Sequence, residues 1–359
     1  MDERYYENAH SYIVWHLNHL NTKEDYSGHK GTIYDYVYDK YGREHLLRDV
    51  RTGSGTPYYD SADSYAASFL NLMKNYYSAL TTGPKIRDPQ YTDVFTDEKN
   101  TEKLKMIYDM LVECMDFPLH PAKALTNARF DYEVKYLMDN AEVYQGFMSA
   151  AHLFSKLPQL AHLEQESIRH ADRIKNGIES LLWDENRQLY KHFYYDYSDG
   201  ENSGGHDTDL QDFYPSALAQ LVPISHDVLE LDTAEDFERA SLLYQRFCRN
   251  FPDWIENDCR IRDEKGEVTE TVDYLWIHIT RTAAVMQDHE RVTKSLTNRE
   301  KIYLLNGNKA PITCQESANI CFAVSLFMSD YYNKSGKEHP NIQKYGKSYE
   351  YEAAFLQKK

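Results

Sequence analysis

The stretch YYDSADSYAASFLNLMKNYY, residues 58–77, decides the fold because it joins an acidic entrance to a long apolar helix. Asp60 and Asp63 stand three residues apart at its start. Apolar and aromatic side chains then recur at helical spacing, at Tyr65, Phe69, Leu72, Met73 and Tyr76. Such a wide apolar face predicts a helix that is buried on more than one side.

Two further stretches repeat this arrangement. DNAEVYQGFMSAAHLF begins with Asp139 and Glu142, and DLQDFYPSALAQLVPI begins with Asp209 and Asp212. The same periodicity predicts six wide-faced helices, at 8–20, 60–77, 139–155, 211–222, 272–287 and 314–331. Helices with a single apolar stripe are predicted between them, at 101–115, 164–182 and 234–249, with weaker candidates at 293–305 and 347–357.

The alternation of buried and surface helices, at intervals of roughly 40 to 80 residues, indicates a repeat architecture. We predict an all-α fold, an (α/α)6 toroid formed by residues 1–359 as one domain. Strand signals are few and predict minor β-hairpins in loops, at 188–198 and 259–270. In a toroid the loops that lead into the inner helices meet at one rim, where functional residues concentrate.

Charge and cysteine content exclude several classes of protein. The net charge of −17 argues against a nucleic-acid-binding protein, which would need a basic face. The five cysteines show no metal-ligand spacing and no disulfide framework, and no motif for a cofactor is present, so we expect neither metal nor cofactor. The sequence has no apolar run of membrane-spanning length and no signal-peptide pattern. We expect a soluble protein, cytoplasmic as written and extracellular if a signal peptide has been removed.

The three acidic pairs have two interpretations. Each has the spacing of a capping box, in which two side chains satisfy the free amides at a helix N-terminus. Alternatively, acidic groups at the starts of neighbouring inner helices face one cleft. Glycoside hydrolysis requires two carboxyl groups, one to donate a proton and one to activate water or attack the anomeric carbon. The apolar residues before Asp139 favour a position inside the helix for that side chain.

Aromatic content supports a carbohydrate partner. The chain has 31 Tyr, 14 Phe and 4 Trp, and tyrosine combines a flat apolar ring with a polar hydroxyl. Some of these side chains pack between helices, whereas those beside the acidic entrances are candidates to bind sugar. The candidate substrate-binding residues are Tyr58, Tyr59, Tyr65, Tyr144, His206, Tyr214, Trp254 and Trp276.

The segments YYDSADSYAASFL, YLMDNAEVYQGF and DFYPSALAQL open three predicted inner helices. With the six-hairpin pattern they resemble the (α/α)6 six-hairpin glycosidase superfamily over nearly the whole chain. The first segment is similar to the Asp-rich segment of glycoside hydrolase family 8, whose members cleave β-1,4-linked glucans, xylans and chitosan. This resemblance implies that Asp60 or Asp63 is a carboxylate of the substrate cleft. Unsaturated glucuronyl hydrolases and sugar epimerases share the toroid.

We therefore expect a glycoside hydrolase that acts on a bacterial poly- or oligosaccharide, with inversion at the anomeric carbon. The candidate catalytic carboxyl groups are Asp60, Asp63, Asp139, Glu142, Asp212 and Asp273, with Asp63 and Asp139 as first choices. One alternative is a non-catalytic carbohydrate-binding or exopolysaccharide-associated protein, in which the acidic pairs are only caps. Another is a sugar epimerase, which would need histidines in the cleft, and the candidates are His10, His206 and His278.

Overall fold

A computed structural model of the chain describes residues 3–48, 55–82, 88–115, 123–195, 204–255, 260–262, 268–271 and 273–301. Its helices are α1 (Glu3–His19), α2 (Ala62–Thr82), α3 (Pro89–Thr96), α4 (Glu98–Glu113), α5 (Leu137–Phe154), α6 (Glu164–Gly177), α7 (Val222–Ser225), α8 (Ala234–Asn250), α9 (Asp273–Val285) and α10 (His289–Glu300). Its strands are β1 (Tyr36–Tyr38), β2 (Glu44–Leu46), β3 (Val134–Tyr136), β4 (Trp183–Asp184), β5 (Leu189–Tyr190), β6 (Phe193–Tyr195), β7 (Gly204–Gly205), β8 (Arg260–Arg262) and β9 (Val268–Thr271). The predicted all-α class with minor hairpins is confirmed.

The chain divides into two compact units. The first comprises residues 1–183 and 193–206, and the second comprises residues 184–192 and 207–359. Each unit has its own helices and its own buried side chains. The single domain and the six-hairpin ring remain predictions, and the predicted helices at 314–331 and 347–357 lie outside the described residues.

In the first unit α5 lies between α2 and α6 and packs against both. Helix α5 is rich in alanine, and its face toward α2 carries Gly146. A Cβ atom at Gly146 would lie 2.6 Å from the Cα atom of Ala67. Only glycine therefore permits this approach of the two helices, which brings their N-terminal ends together.

Short strands of the first unit fix the start of α5. Strand β3 runs directly into α5, and its partner β6 pairs with it in antiparallel register, with Tyr136 opposite Phe193. Strand β7 continues this small sheet on the other edge of β6. The sheet therefore holds the residue that precedes α5 in a fixed position.

The second unit has a core built from α7, α8, α9 and α10. Helix α7 packs on α9, and α9 packs on α10. Gln220 holds the segment 184–192 to this unit. Its side chain accepts a hydrogen bond from the amide of Tyr190 and donates one to the carbonyl of Tyr190, each at 2.8 Å. Trp254 and Phe247 are among the largest fully buried side chains of the unit.

Two helical segments differ from the sequence prediction. The helix predicted at 211–222 is instead a kinked segment (Phe213–Ala217), in which the backbone of Tyr214 is extended, followed by the short α7. Pro215 and Pro223 lack the amide hydrogen that a continuous helix needs, which explains the interruption. Helix α3 was not predicted, although Asp88 caps it and Pro89 occupies its first turn, which is a standard start signal.

Both strand regions that the sequence predicts are present in the described chain. The hairpin predicted at 259–270 is formed by β8 and β9. The tyrosine-rich strand predicted at 188–198 appears as β5 and β6. Within the described ranges, no helix combines the length and the apolar character that crossing a bilayer requires.

Candidate active site

Helix α2 begins with a serine cap. The hydroxyl of Ser61 lies 3.4 Å from the amide nitrogen of Ser64, which is the geometry of an N-cap side chain. Asp60 precedes this cap, is exposed, and accepts a hydrogen bond of 2.7 Å from the hydroxyl of Tyr58. Asp63 lies in the first turn of the helix. Asp60 and Asp63 therefore occupy different environments and do not form a capping box.

Asp63 is completely buried, with 0% of its surface exposed. Its Oδ1 atom accepts hydrogen bonds from the hydroxyl of Ser61 and the amide of Ser64, each at 2.7 Å. Its Oδ2 atom accepts one of 2.6 Å from the hydroxyl of Thr126. Burial raises the pKa of Asp63, while these three donors oppose the rise. No surface of this carboxyl group is left for contact with a substrate.

The carboxyl groups of α5 lie beside the same turn of α2. Asp139 and Glu142 are in the first turns of α5, half-buried, and the residue before the helix makes no side-chain cap. The hydroxyl of Ser61 lies 3.4 Å from Asp139 Oδ2, and the hydroxyl of Ser64 donates to Glu142. Two serines of α2 thus contact two carboxyl groups of α5. We call Asp60, Asp63, Asp139 and Glu142 the acidic cluster.

Ser61 sets an upper bound on the separation of the two carboxyl groups that it bridges. Its hydroxyl lies 2.7 Å from Asp63 Oδ1 and 3.4 Å from Asp139 Oδ2, so these oxygens are at most about 6 Å apart. The predicted meeting of Asp63 and Asp139 therefore occurs in the structure. Asp139 and Glu142 differ from Asp63 in that each residue keeps part of its surface exposed.

The cluster strongly favours a proton on Asp139. Burial raises the pKa of Asp139 well above its ordinary value, and the charges of Asp63, Glu142 and Asp60 raise it further. The hydroxyl of Ser61, at 3.4 Å, is a weak opposing donor. A carboxyl group whose pKa is raised by burial and by neighbouring carboxyl groups has the property that a general acid requires.

Tyrosines converge beside the acidic cluster. The hydroxyl of Tyr132 lies 3.3 Å from that of Tyr136 and 3.4 Å from that of Tyr195. The guanidinium of Arg129 lies over the rings of Tyr58 and Tyr132, at 5.2 and 5.3 Å from their centroids. We call Tyr58, Tyr132, Tyr136 and Tyr195 the tyrosine surface. Hydrogen bonds with Tyr136 and Tyr195 lower the pKa of Tyr132, and the charge of Asp60 opposes this change. Burial raises the pKa of Tyr136, and the charge of Asp139 adds to the rise. Both effects indicate that the tyrosine surface adjoins the acidic cluster.

The other predicted binding residues of the first unit have different positions. Tyr59 is fully buried and Tyr144 is 8% exposed, so both rings belong mainly to the core. Tyr65 is half-buried, and its hydroxyl donates to Asp35 Oδ1 at 2.9 Å. His206 is exposed, with its ring 4.9 Å from that of Phe193 on the small sheet.

The predicted site residues of the second unit differ in their exposure. Asp212 is exposed and accepts a hydrogen bond of 3.0 Å from the hydroxyl of Ser216. Tyr214 is 48% exposed, whereas Trp254 is 1% exposed and belongs to the core. Asp273 begins α9, but its side chain and that of Trp276 lie outside the described residues.

Sequence reasoning missed the residues that organise the acidic cluster. Ser61 and Ser64 flank Asp63 in DSADS, and serine at a helix start is a signal that could have identified the cap. Thr126 and Asn140 are fully buried polar side chains, and nothing local in the sequence marks them. The same is true of Tyr132, Tyr136 and Tyr195, because they meet only through the pairing of β3 with β6.

Few side chains in the described part of the chain are placed for metal binding or for isomerase chemistry. There, no group of three or more His, Cys, Asp or Glu side chains is arranged to hold a metal ion. Of the histidines proposed for an epimerase, His10 contacts Asp93 at 2.8 Å, and His278 is buried in the second unit. His206 lies on the small sheet of the first unit.

Comparison with known proteins gives a likeness of structure. No protein-family model matches the sequence, and no curated protein matches it. Among solved structures, the chain is similar to a glycoside hydrolase family 76 mannosidase from Bacteroides thetaiotaomicron, at 9% identity and a TM-score of 0.41, covering 91% of this chain and 99% of that chain. At this similarity neither its activity nor its site is transferred to this chain.

Proposed function

We propose that the protein is a glycoside hydrolase acting on a poly- or oligosaccharide, with Asp139 as the general acid. The observation that carries this proposal is the placement of Asp139, which is half-buried against three other carboxyl groups and remains partly exposed. Glycosidic oxygen is a poor leaving group until it is protonated, and an acid with a raised pKa supplies that proton.

Asp60 is our candidate for the second carboxyl group. It is exposed. Burial raises the pKa values of Asp139, Asp35 and Tyr65, and the charge of Asp60 raises each of them further, so Asp60 lies close to the cluster. The hydroxyl of Tyr58 orients its carboxylate. Glu142 is held by Ser64 and contributes charge that keeps the proton on Asp139.

The tyrosine surface is our candidate for binding the sugar. Tyr132 is 38% exposed, and its ring offers an apolar face while its hydroxyl meets those of two further tyrosines. Sugars present apolar faces and a rim of hydroxyl groups, so stacking on a ring and hydrogen bonding to phenols suit them.

A panel of α- and β-linked mannans, glucans, xylans and chitosan tests the proposal by release of reducing ends. We expect hydrolysis of at least one polymer, and a loss of roughly 10²- to 10⁴-fold in the Asp139→Asn variant. Binding of a polymer without hydrolysis would instead support the carbohydrate-binding alternative. Hydrolysis that is unchanged in Asp139→Asn would refute the assignment of the acid.

Proton NMR of the first-formed product tests the stereochemistry. We expect inversion, because the exposed carboxylate of Asp60 is hydrated and can activate a water molecule. A product with the configuration of the substrate would mean that a carboxylate attacks the anomeric carbon directly.

A further inference from the structure

Asp63 is a buried carboxyl group to which the proposed mechanism assigns no step. It accepts hydrogen bonds from two hydroxyls and one amide, and in the described part of the chain it forms no ion pair with a cationic side chain. A carboxyl group that is removed from water without a counterion is costly to keep charged.

The hydrogen bonds around Asp63 allow a neutral as well as an ionised carboxyl group at this position, so the proton of the pair can reside on either partner. The hydroxyl of Thr126 lies 2.6 Å from Asp63 Oδ2 and 3.1 Å from Asn140 Oδ1, but it has a single hydrogen. The amide of Asn140 donates to two carbonyls and its Oδ1 accepts from Thr126 N, so its orientation is fixed. If Asp63 carries a proton on Oδ2, it donates to Thr126, and Thr126 donates to Asn140. Both contacts are then satisfied.

The other oxygen of Asp63 faces Asp139 through one hydroxyl. Ser61 has one hydrogen and lies between Asp63 Oδ1 and Asp139 Oδ2. A serine hydroxyl can accept a hydrogen bond from a protonated Asp139 while it donates to an ionised Asp63. Two carboxyl groups this close favour a single shared proton, because their like charges repel each other.

Among the described residues, the groups whose charge acts on Asp63 and Asp139 are mainly acidic or neutral. Glu142 faces this pair from α5, Asp60 from the segment before α2, and Cys114 from the end of α4. Tyr136 faces it from β3. The nearest cations along the chain have other contacts, since Lys135 donates to Asn127 at 2.8 Å and Arg129 lies 3.0 Å from Asp131.

We propose that Asp63 is a positioning residue that shares one proton with Asp139 across the hydroxyl of Ser61, and so keeps Asp139 protonated and ready to donate. This inference rests on the proposed function only for its catalytic consequence. When Asp139 gives its proton to the leaving oxygen, its carboxylate is formed beside the ionised Asp63. The repulsion between them favours return of a proton from water to the partly exposed Asp139, which restores the starting state.

Asp63→Asn is the variant that tests this inference. The amide can donate to Thr126 and accept from Ser61 and Ser64, so it reproduces the neutral form of Asp63 and is expected to fold. Carbon-13 NMR of the side-chain carboxyl groups, with Asp139→Asn to assign the signal, measures the titration of Asp139 without any substrate. We expect its midpoint to move to lower pH by about one unit, because a like charge has been removed.

Asp25 provides a matched control. It accepts hydrogen bonds from the amide and hydroxyl of Ser27, at 2.7 and 2.6 Å, and from the hydroxyl of Thr32 at 2.6 Å. These donors match those of Asp63, with the amide of His29 as a further donor at 3.3 Å, but no second carboxyl group contacts Ser27 in the described chain. Asp25→Asn should therefore leave the Asp139 midpoint unchanged.

Ser61 is tested by two variants. Ser61→Ala removes the bridging hydroxyl, and Ser61→Thr restores it, so the titration of Asp139 should change in the first and return in the second. An Asp139 midpoint that is unmoved in Asp63→Asn overturns the inference, whatever the panel of polysaccharides shows. If the midpoint moves but no polymer is hydrolysed, the inference stands and the proposed function fails.

For an active enzyme, the pH dependence of kcat/KM gives a second measurement. The alkaline limb should move to lower pH in Asp63→Asn. The value of kcat at the optimum should fall by less than tenfold, whereas loss of a general acid would lower it by roughly 10²-fold or more. A purely structural role of Asp63 would lower the rate at every pH and leave the limb in place, which would contradict the inference.

Discussion

The acidic entrance formed by α2 and α5 and the acidic stretch at Asp209 and Asp212 look alike in the sequence and differ in the structure. At the first, Asp63 is fully buried and two serines of α2 contact the carboxyl groups of α5. At the second, Asp209 and Asp212 are exposed, and Asp209 caps a local turn by accepting from the amide of Gln211 at 2.9 Å.

Helix packing causes this difference. Gly146 lets α5 approach α2 closely, so the first turns of the two helices exclude water from the carboxyl groups between them. In the second unit Pro215 interrupts the helix that the sequence pattern predicts. The spacing of two carboxylates is therefore a weak guide to their chemistry, whereas their burial against a second helix is a strong one.

The largest expected effect contrasts Asp60 with Asp212, two exposed aspartates that each begin a helical segment. In the proposed mechanism Asp60→Asn removes the base and should lower kcat by roughly 10²- to 10⁴-fold. Asp212→Asn should leave the rate unchanged, because Asp212 is not a member of the acidic cluster and accepts a hydrogen bond from Ser216. Equal losses in the two variants, measured on the best substrate of the panel, would show that the contrast is false.

The next effect concerns stability. Asp63→Ala leaves Ser61, Ser64 and Thr126 without their acceptor in a buried site, and should lower the free energy of unfolding by about 3 kcal/mol. Asp209→Ala, at the exposed entrance, should cost about 0.5 kcal/mol or less. Urea unfolding followed by circular dichroism measures both, and a similar cost for the two variants would contradict the role given to burial.

A smaller effect tests the spacing of α2 and α5. Gly146→Ala places a Cβ atom 2.6 Å from the backbone of Ala67, so the helices must separate, at a cost of about 1–3 kcal/mol. The carboxyl groups should move apart with them, which lowers kcat. Gly204→Ala is the control, because its Cβ atom would meet nothing within 4 Å. A Gly146→Ala variant as stable and as active as the parent would exclude this role for glycine.

The smallest effect is the pH dependence of stability. Because the pKa of Asp139 is raised in the folded state, the folded protein binds more protons than the unfolded chain above the ordinary aspartate pKa of about 4. The contribution of Asp139 is therefore fully present below that pH and is lost as the pH rises through the folded pKa. Asp139→Asn should flatten the decline and make the protein more stable than the parent at pH 8, as measured by thermal unfolding. Parallel pH curves for the two proteins would contradict the raised pKa.

Much of the fold could be predicted because helical periodicity is a local signal. The helices containing 60–77 and 139–155 were found with nearly correct bounds, as were the surface helices at 164–182 and 234–249. The break at Pro215 was missed because apolar periodicity outweighed proline in that prediction. Helix α3 was missed because eight residues give too short a window for periodicity.

The candidate site could be predicted only in part. The sequence identified Asp60, Asp63, Asp139 and Glu142, because each stands at the start of an apolar helix. It did not separate the buried Asp63 from the accessible Asp139, since burial depends on contacts between residues far apart in the chain. The network through Thr126 and Asn140, and the tyrosine surface, arise from such contacts as well.

The sequence by itself determined that the protein is helical and that carboxyl groups stand at the starts of several apolar helices, because periodicity and helix-start residues act over a few positions. Only the tertiary structure decided which of these groups keeps a proton. The 58–77 and 139–154 stretches each carry an unremarkable acidic pair, and it is their contact through Ser61, Ser64 and Gly146 that excludes water from between them. A pKa depends on that exclusion and on neighbouring charge, and both are properties of packing rather than of local sequence.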